Sequence, residues 1–137
     1  MAGLNRMNQN DLKLRTKKFA LDVIASADKL PNDEAISVLA RQLLRSSTSV
    51  VANYRAACRA RSKADFFSKM GIVKEEADES EFWLDLLEAS AKLGPQQAGV
   101  LRREVSELTA IAGASINTAR RGQASSNPQP AIRNPQS

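Results

Sequence analysis

Residues 41–87 read RQLLRSSTSVVANYRAACRARSKADFFSKMGIVKEEADESEFWLDLL, and the charge along them reverses sign partway. Arg55, Arg59, Arg61 and Lys63 fall within nine residues, and Glu75, Glu76, Asp78, Glu79 and Glu81 within seven. Either a basic surface lies beside an acidic metal site, or the two halves face each other inside one fold. Apolar spacing favours the second reading. Before the turn, Ile36, Leu39, Leu43, Val50, Tyr54 and Cys58 recur at helical intervals, with Leu44 and Val51 widening the face. After it, Phe66, Met70, Val73, Ala77, Leu84, Leu87 and Ala91 form one stripe, and Ile72, Trp83 and Leu86 a neighbouring one. Between the two, Ser62-Lys63-Ala64-Asp65 fits a helix start, with serine as cap and a carboxylate three positions on.

Two helices joined by a turn at Ser62 form an antiparallel hairpin, in which residues whose numbers sum to about 124 lie opposite one another. Arg45, Ser49 and Asn53 repeat every four residues and share a face, as do Glu75, Glu79 and Trp83. Across the hairpin, Arg45 meets Glu79, Ser49 meets Glu75 and Arg41 meets Trp83. Asn53 meets Gly71, where the missing side chain leaves room for an amide. A polar seam of Arg45, Ser49, Asn53, Glu75 and Glu79 is therefore expected inside the fold. Its charge pairs would fix register more than they add stability, because desolvation offsets much of their attraction. Gly71, which costs a helix interior about 1 kcal/mol relative to alanine, is expected to mark a close helix contact or a kink.

Outward from the hairpin, a first helix is expected from Asp11 to Leu30, along Leu12, Phe19, Val23, Ala27 and Leu30. Leu30-Pro31-Asn32 ends it, since proline disfavours helix at the preceding residue and Asn32 can cap the second helix. Asp33 and Glu34 then suit the positive end of the second helix dipole. Leu93-Gly94-Pro95 is a stop and restart. The fourth helix runs to about Arg121 through Leu101, Val105, Leu108, Ala112, Ile116 and Ala119. Residues 1–10 are expected as a flexible N-terminus, 11–121 as the helical domain, and 122–137, GQASSNPQPAIRNPQS, as a disordered tail. The fold class is all-α, an up-down-up-down antiparallel four-helix bundle.

The absence of histidine among 137 residues removes Ser-His-Asp and Cys-His catalysis and histidine-ligated metals. The single cysteine, Cys58, lies among alanines and cannot form an intramolecular disulfide. No cofactor is expected. No apolar run approaches membrane-spanning length, and the N-terminus lacks the apolar centre of a secretory signal, so a cytoplasmic protein with no membrane partner is expected. The formal charge of +5 permits contact with phosphate backbones. Aromatic content of 4% is thin for an extended base-stacking surface.

The hairpin also resembles the central part of the four-helix bundle proteins named after the 23S rRNA intervening sequence. The matching residues are Arg45, Ser49, Asn53, Ser62, Lys63, Phe67, Lys69, Glu75, Glu79, Trp83 and Leu84. Likeness is sharp from Gln42 to Leu87 and vague in the outer helices. Many relatives carry a Glu-Gly pair shortly after the asparagine, where this chain has Arg55-Ala56-Ala57-Cys58. The resemblance implies a left-handed bundle assembling as a ring-like homopentamer, with no enzymatic activity. It also implies distant kinship with the basic accessory protein of diversity-generating retroelements, which binds a reverse transcriptase and nucleic acid.

Three functions are expected, in descending order of support. The first is an oligomeric, non-catalytic module that binds RNA or DNA through phosphates, without sequence preference. Its candidate contacts are Lys13, Arg15, Lys17 and Lys18 on the first helix, Arg55, Arg59, Arg61 and Lys63 at the hairpin turn, and Arg102, Arg103, Arg120 and Arg121 on the fourth helix. The second is a protein-binding adaptor using either acidic surface at Asp78, Glu81, Asp85 and Glu88 or the expected C-terminal tail. The third and remotest is a Mg²⁺-dependent nucleotide pyrophosphohydrolase, with Glu76-x-x-Glu79 and Glu104-x-x-Glu107 as paired carboxylates. Ser26-Ala27-Asp28-Lys29 matches an acylation motif whose companion motifs are absent.

Overall fold

A computed structural model describes residues 8–126, with side chains through Gly122. Four helices make up its regular structure: α1 (Gln9–Asp28), α2 (Glu34–Cys58), α3 (Lys63–Ala89) and α4 (Pro95–Ser126).

Each of the first three helices begins on a side-chain cap. Asn8 Oδ1 accepts from the Asp11 amide at 2.9 Å while the Asp11 carboxylate accepts from the Asn8 amide at 3.3 Å. This reciprocal box starts α1 ahead of Asp11. The carboxylate of Asp33, rather than Asn32, takes the Ile36 amide at 3.2 Å, and Ser62 takes the Asp65 amide at 3.0 Å as its spacing predicts. Such caps contribute about 1 kcal/mol each.

Contacts across the bundle set the helix directions. Arg45 reaches Glu76 and Glu79 across α2 and α3. Arg102 near the start of α4 meets Glu88 near the end of α3, and Arg120 near the end of α4 covers Phe67 near the start of α3. Arg15 pairs with Glu104, while Ser26, later on α1, accepts from Gln97, earlier on α4. The helix pairs so joined are antiparallel. The α2–α3 interface is the most extensive and α3–α4 the next, whereas α1 lies on α2 and touches α4 lightly.

The core is continuous along the bundle. Val23, Val50, Met70, Ala77, Leu84, Leu87, Ala98 and Val105 have no exposed surface. Three serines lie among them, Ser46 and Ser47 on α2 and Ser80 on α3, all fully buried, and Ser46 and Ser80 bond to each other at 2.8 Å. The carbonyls of Leu43 and Glu76 lie within reach of the remaining hydroxyl proton. This pair satisfies its polar atoms locally, which is the condition for tolerating them in an apolar layer.

Three features depart from the expected pattern. Ala91 is exposed rather than on the core line, and at φ 61° it occupies the left-handed position that closes α3. The amides of Lys92 and Leu93 return to the Leu87 carbonyl, as in a helix C-terminal cap. Gly71 does not mark close packing, since a β-carbon placed there would meet nothing within 4 Å. Helix α4 continues through Gly122 to Ser126, so the expected tail begins inside it; residues 127–137, like 1–7, lie outside the described residues.

Candidate nucleic-acid interface

Part of the charge in this bundle holds helices together, through Arg15, Arg45 and Arg102. Arg15 bonds Glu104 through Nε at 3.0 Å and Nη2 at 2.6 Å, and reaches Glu107 at 2.8 Å. The forked bond to Glu104 holds the guanidinium well above its ordinary pKa. Arg102 sits among Glu88 at 3.1 Å, Asp85 at 3.3 Å and Glu81 at 3.7 Å, all on α3. Lys18 pairs along its own helix with Asp22 at 2.8 Å. Arg15, Arg102 and Lys18, expected as phosphate contacts, are therefore occupied. The acidic surface expected for a protein partner is correspondingly engaged at Glu81, Asp85 and Glu88.

Arg45 does meet Glu79, as the hairpin register predicts, and Glu76 at 3.1 Å as well. The rest of the seam closes differently. Asn53 donates back to the Ser49 carbonyl and hydroxyl on its own helix, both at 2.9 Å, and Glu75 is exposed on the side facing α4. A spacing of four overshoots the 3.6-residue turn by about 40°, so the stripe rotates away from its partner helix at each step. The cross-helix bond falls instead to Ser46 and Ser80, which the stripe did not include. Their smallness and their place among apolar neighbours were the signal available.

The four carboxylates of the hydrolase reading are not brought together. Glu76 and Glu79 face α2 and hold Arg45, while Glu104 and Glu107 face α1 and hold Arg15. Among the described residues no group of three or more acidic or cysteine side chains is placed to hold a metal. Ser26 accepts from Gln97 Nε2 at 2.6 Å, and Lys29 is exposed at the α1 terminus. Cys58 is half-buried beside Tyr54, whose phenol is pushed up by burial.

Glu79 carries a built-in reporter, because the indole of Trp83 donates to its Oε2 at 3.0 Å. That bond first, and Arg45 second, hold the Glu79 carboxyl below the usual carboxylate range. A depressed pKa contributes stability above the unfolded value that is lost as pH falls through the folded one. Fluorescence of Trp83, the single tryptophan, is expected to titrate below about pH 4.3, the ordinary glutamate value. Arg45→Gln should move the midpoint upward without restoring that value, since the indole bond remains. An unmoved midpoint would show that Arg45 does not set it.

Of the cations in no ion pair among the described residues, Lys29, Arg41, Lys92 and Arg103 lie toward one end of the bundle and a larger group lies at the other. The start of α1, the end of α2, the start of α3 and the late part of α4 converge there on a depression of about 400 Å³ lined by Gln9, Arg61, Ser62, Lys63 and Ala119. Arg55, Arg59, Arg61 and Lys63 are exposed around it, with Arg120 and Arg121 contributed by α4. None is in an ion pair among the described residues. Nearby carboxylates are occupied, Asp11 in the α1 cap and Asp65 with Lys69 at 3.3 Å. Lys13 and Lys17 are exposed on the first turns of α1, whereas exposed Arg103 belongs to the opposite half of α4. Arg55 in the last turn of α2 also suits the negative end of that helix dipole.

The family described as 23S rRNA-intervening sequence protein matches residues 8–114. A solved structure from Bacteroides thetaiotaomicron, a protein with unknown function from the S23 ribosomal protein family, is 32% identical. It superposes with a TM-score of 0.75 over 80% of this chain and 97% of its own. No curated protein matches. No described helix is long and apolar enough to cross a membrane.

Proposed function

The chain belongs to the 23S rRNA-intervening sequence protein family, and from that premise we propose that it is a non-catalytic, oligomeric nucleic-acid-binding module. The observation carrying this reading is the basic end, where Arg55, Arg59, Arg61, Lys63, Arg120 and Arg121 are exposed and in no ion pair, while Arg15, Arg45 and Arg102 are taken up by ion pairs between helices. Guanidinium and ammonium groups so arranged suit phosphates, whose spacing does not depend on sequence. Binding measured by fluorescence anisotropy across a salt series tests the reading. Affinity should fall steeply with salt, as counterion release requires. Affinity no better than that of a neutral bundle at about 50 mM salt would end it.

Assembly as a ring-like homopentamer in the cytoplasm is part of the proposal. A head-to-tail ring needs two different faces on each subunit. Helix α1 exposes Leu14, Leu21 and Ile24, and α3, diagonally across the bundle, exposes Phe82. Apolar side chains on opposite sides of one subunit suit such a ring, and five basic ends would then act together on one polyanion. Light scattering should give five times 14.9 kDa, and Leu14→Glu with Leu21→Glu should give one chain while the helix signal is kept. A single-chain mass for the unaltered protein would overturn the ring.

A further inference from the structure

Between α3 and α4 runs an open groove of about 570 Å³ that core packing does not account for. Gly71 and Gly113 line it from facing helices. A β-carbon at Gly71 would touch nothing within 4 Å, and one at Gly113 would meet only the far end of the Lys74 side chain at 3.8 Å. Glycine is among the weakest helix formers, so neither position is explained by the helix or by the packing between helices. What both glycines leave is space.

The walls of that space carry charge the bundle does not use. Lys74, Glu75, Asp78 and Arg120 all line it, and none is in an ion pair among the described residues. Asn117 and Thr109 add an amide and a hydroxyl. At the mouth nearest the basic end, Arg120 lies over the half-buried ring of Phe67, 5.6 Å from its centroid. Along the groove the Arg120–Phe67 pair lies nearest the basic end, the Lys74 amine lies beside Gly113, and the exposed carboxylates of Glu75 and Asp78 follow along α3.

We propose that this groove receives one unpaired, amino-bearing base of a single-stranded nucleic acid whose phosphates lie on the basic end, a reading that rests on the proposed function. Phosphates meet Arg120 and Lys74. The base stacks against the Arg120–Phe67 pair, as unpaired bases do on guanidinium and aromatic planes. Glu75, the carboxylate nearer the stacked pair, accepts from its exocyclic amino group, as carboxylates do with cytosine. A paired base has that edge occupied, and uracil has no amino group. The groove therefore favours a cytosine-containing single strand over oligouridine and over a duplex.

The test uses the full chain with labelled oligocytidine and oligouridine of about 12 nucleotides and a duplex of the same length, a size within single-strand site lengths. Oligocytidine should bind about 10-fold more tightly than oligouridine, about 1.4 kcal/mol. Gly71→Leu fills the groove with a better helix former, so its melting midpoint should rise by a few degrees. Its oligocytidine affinity should fall to the oligouridine level, with duplex affinity unchanged. Glu75→Ala with Asp78→Ala should abolish the preference while raising oligouridine affinity, since repulsion of phosphates is removed. Equal affinity for all three polymers, or discrimination that survives Gly71→Leu, overturns the groove site and leaves the basic end standing. No binding to any polymer overturns both.

Discussion

Exchanging Arg55, Arg59, Arg61 and Lys63 together for glutamine is expected to weaken single-strand binding at least 100-fold near 50 mM salt, leaving the fold intact. Each cation withdrawn from a phosphate should reduce the slope of log affinity against log salt by about 0.7, so the four together remove up to about 3. The drop in affinity at low salt should exceed that at high salt, because the missing contribution is counterion release. The fold should survive because all four side chains are exposed and unpaired. Forgone interaction of Arg55 and Arg59 with the α2 dipole costs only a few tenths of a kcal/mol each at such exposure. Arg103→Gln, in the opposite half of α4, should change affinity little. Anisotropy titrations at four salt concentrations, with a thermal melt of each variant, decide between these outcomes. A quadruple variant binding within about twofold of the parent at low salt would remove the hairpin turn from the interface.

That four exposed cations gather at the turn was legible in the sequence, where Arg55, Arg59, Arg61 and Lys63 outnumber the one carboxylate beside them, Asp65. Which other cations remain available was not. Arg15 and Arg102 look as free as Arg59 on a linear reading. Their partners are 89 residues away in Arg15's case and on an adjacent helix in Arg102's. Only the lateral order of the helices decides that Arg15 meets Glu104. The hairpin itself could be derived, since apolar spacing gives two helices and Ser62 the turn between them. Arg45 and Glu79 then pair by register alone. The seam beyond them fails on helical geometry, which carries Ser49 and Asn53 off the shared face and brings Ser46 and Ser80 onto it. Two serines read as filler; in the bundle they bond across α2 and α3 inside the core. Gly71 was visible as an anomaly, but its meaning needed the neighbouring helix. Gly113 supplies the other half of the same open space.

Phe19→Ala should cost about 3–5 kcal/mol, as expected when a large ring is removed from a packed site that closes incompletely. Phe19 is 1% exposed, and a domain of this kind has about 5–15 kcal/mol in all. The destabilisation should not be uniform. Helix α1 is the element least bound to the others, resting on α2 and touching α4 chiefly through Arg15 and the Gln97–Ser26 bond. The α2–α3 hairpin, with the most extensive interface and the buried serine pair, should hold after α1 has let go. Native-state hydrogen exchange should therefore show α1 amides losing protection in Phe19→Ala while α2 and α3 amides keep most of theirs. Leu84→Ala, from a fully buried position on α3, should cost about 2–5 kcal/mol and lower protection in all four helices together. If Phe19→Ala instead lowers protection equally everywhere, α1 opens only with the whole bundle. Separate opening of α1 would also dissolve the apolar line of Leu14, Leu21 and Ile24. The same variant should then lose its oligomer before it loses its hairpin, an order that light scattering and exchange on one sample can read.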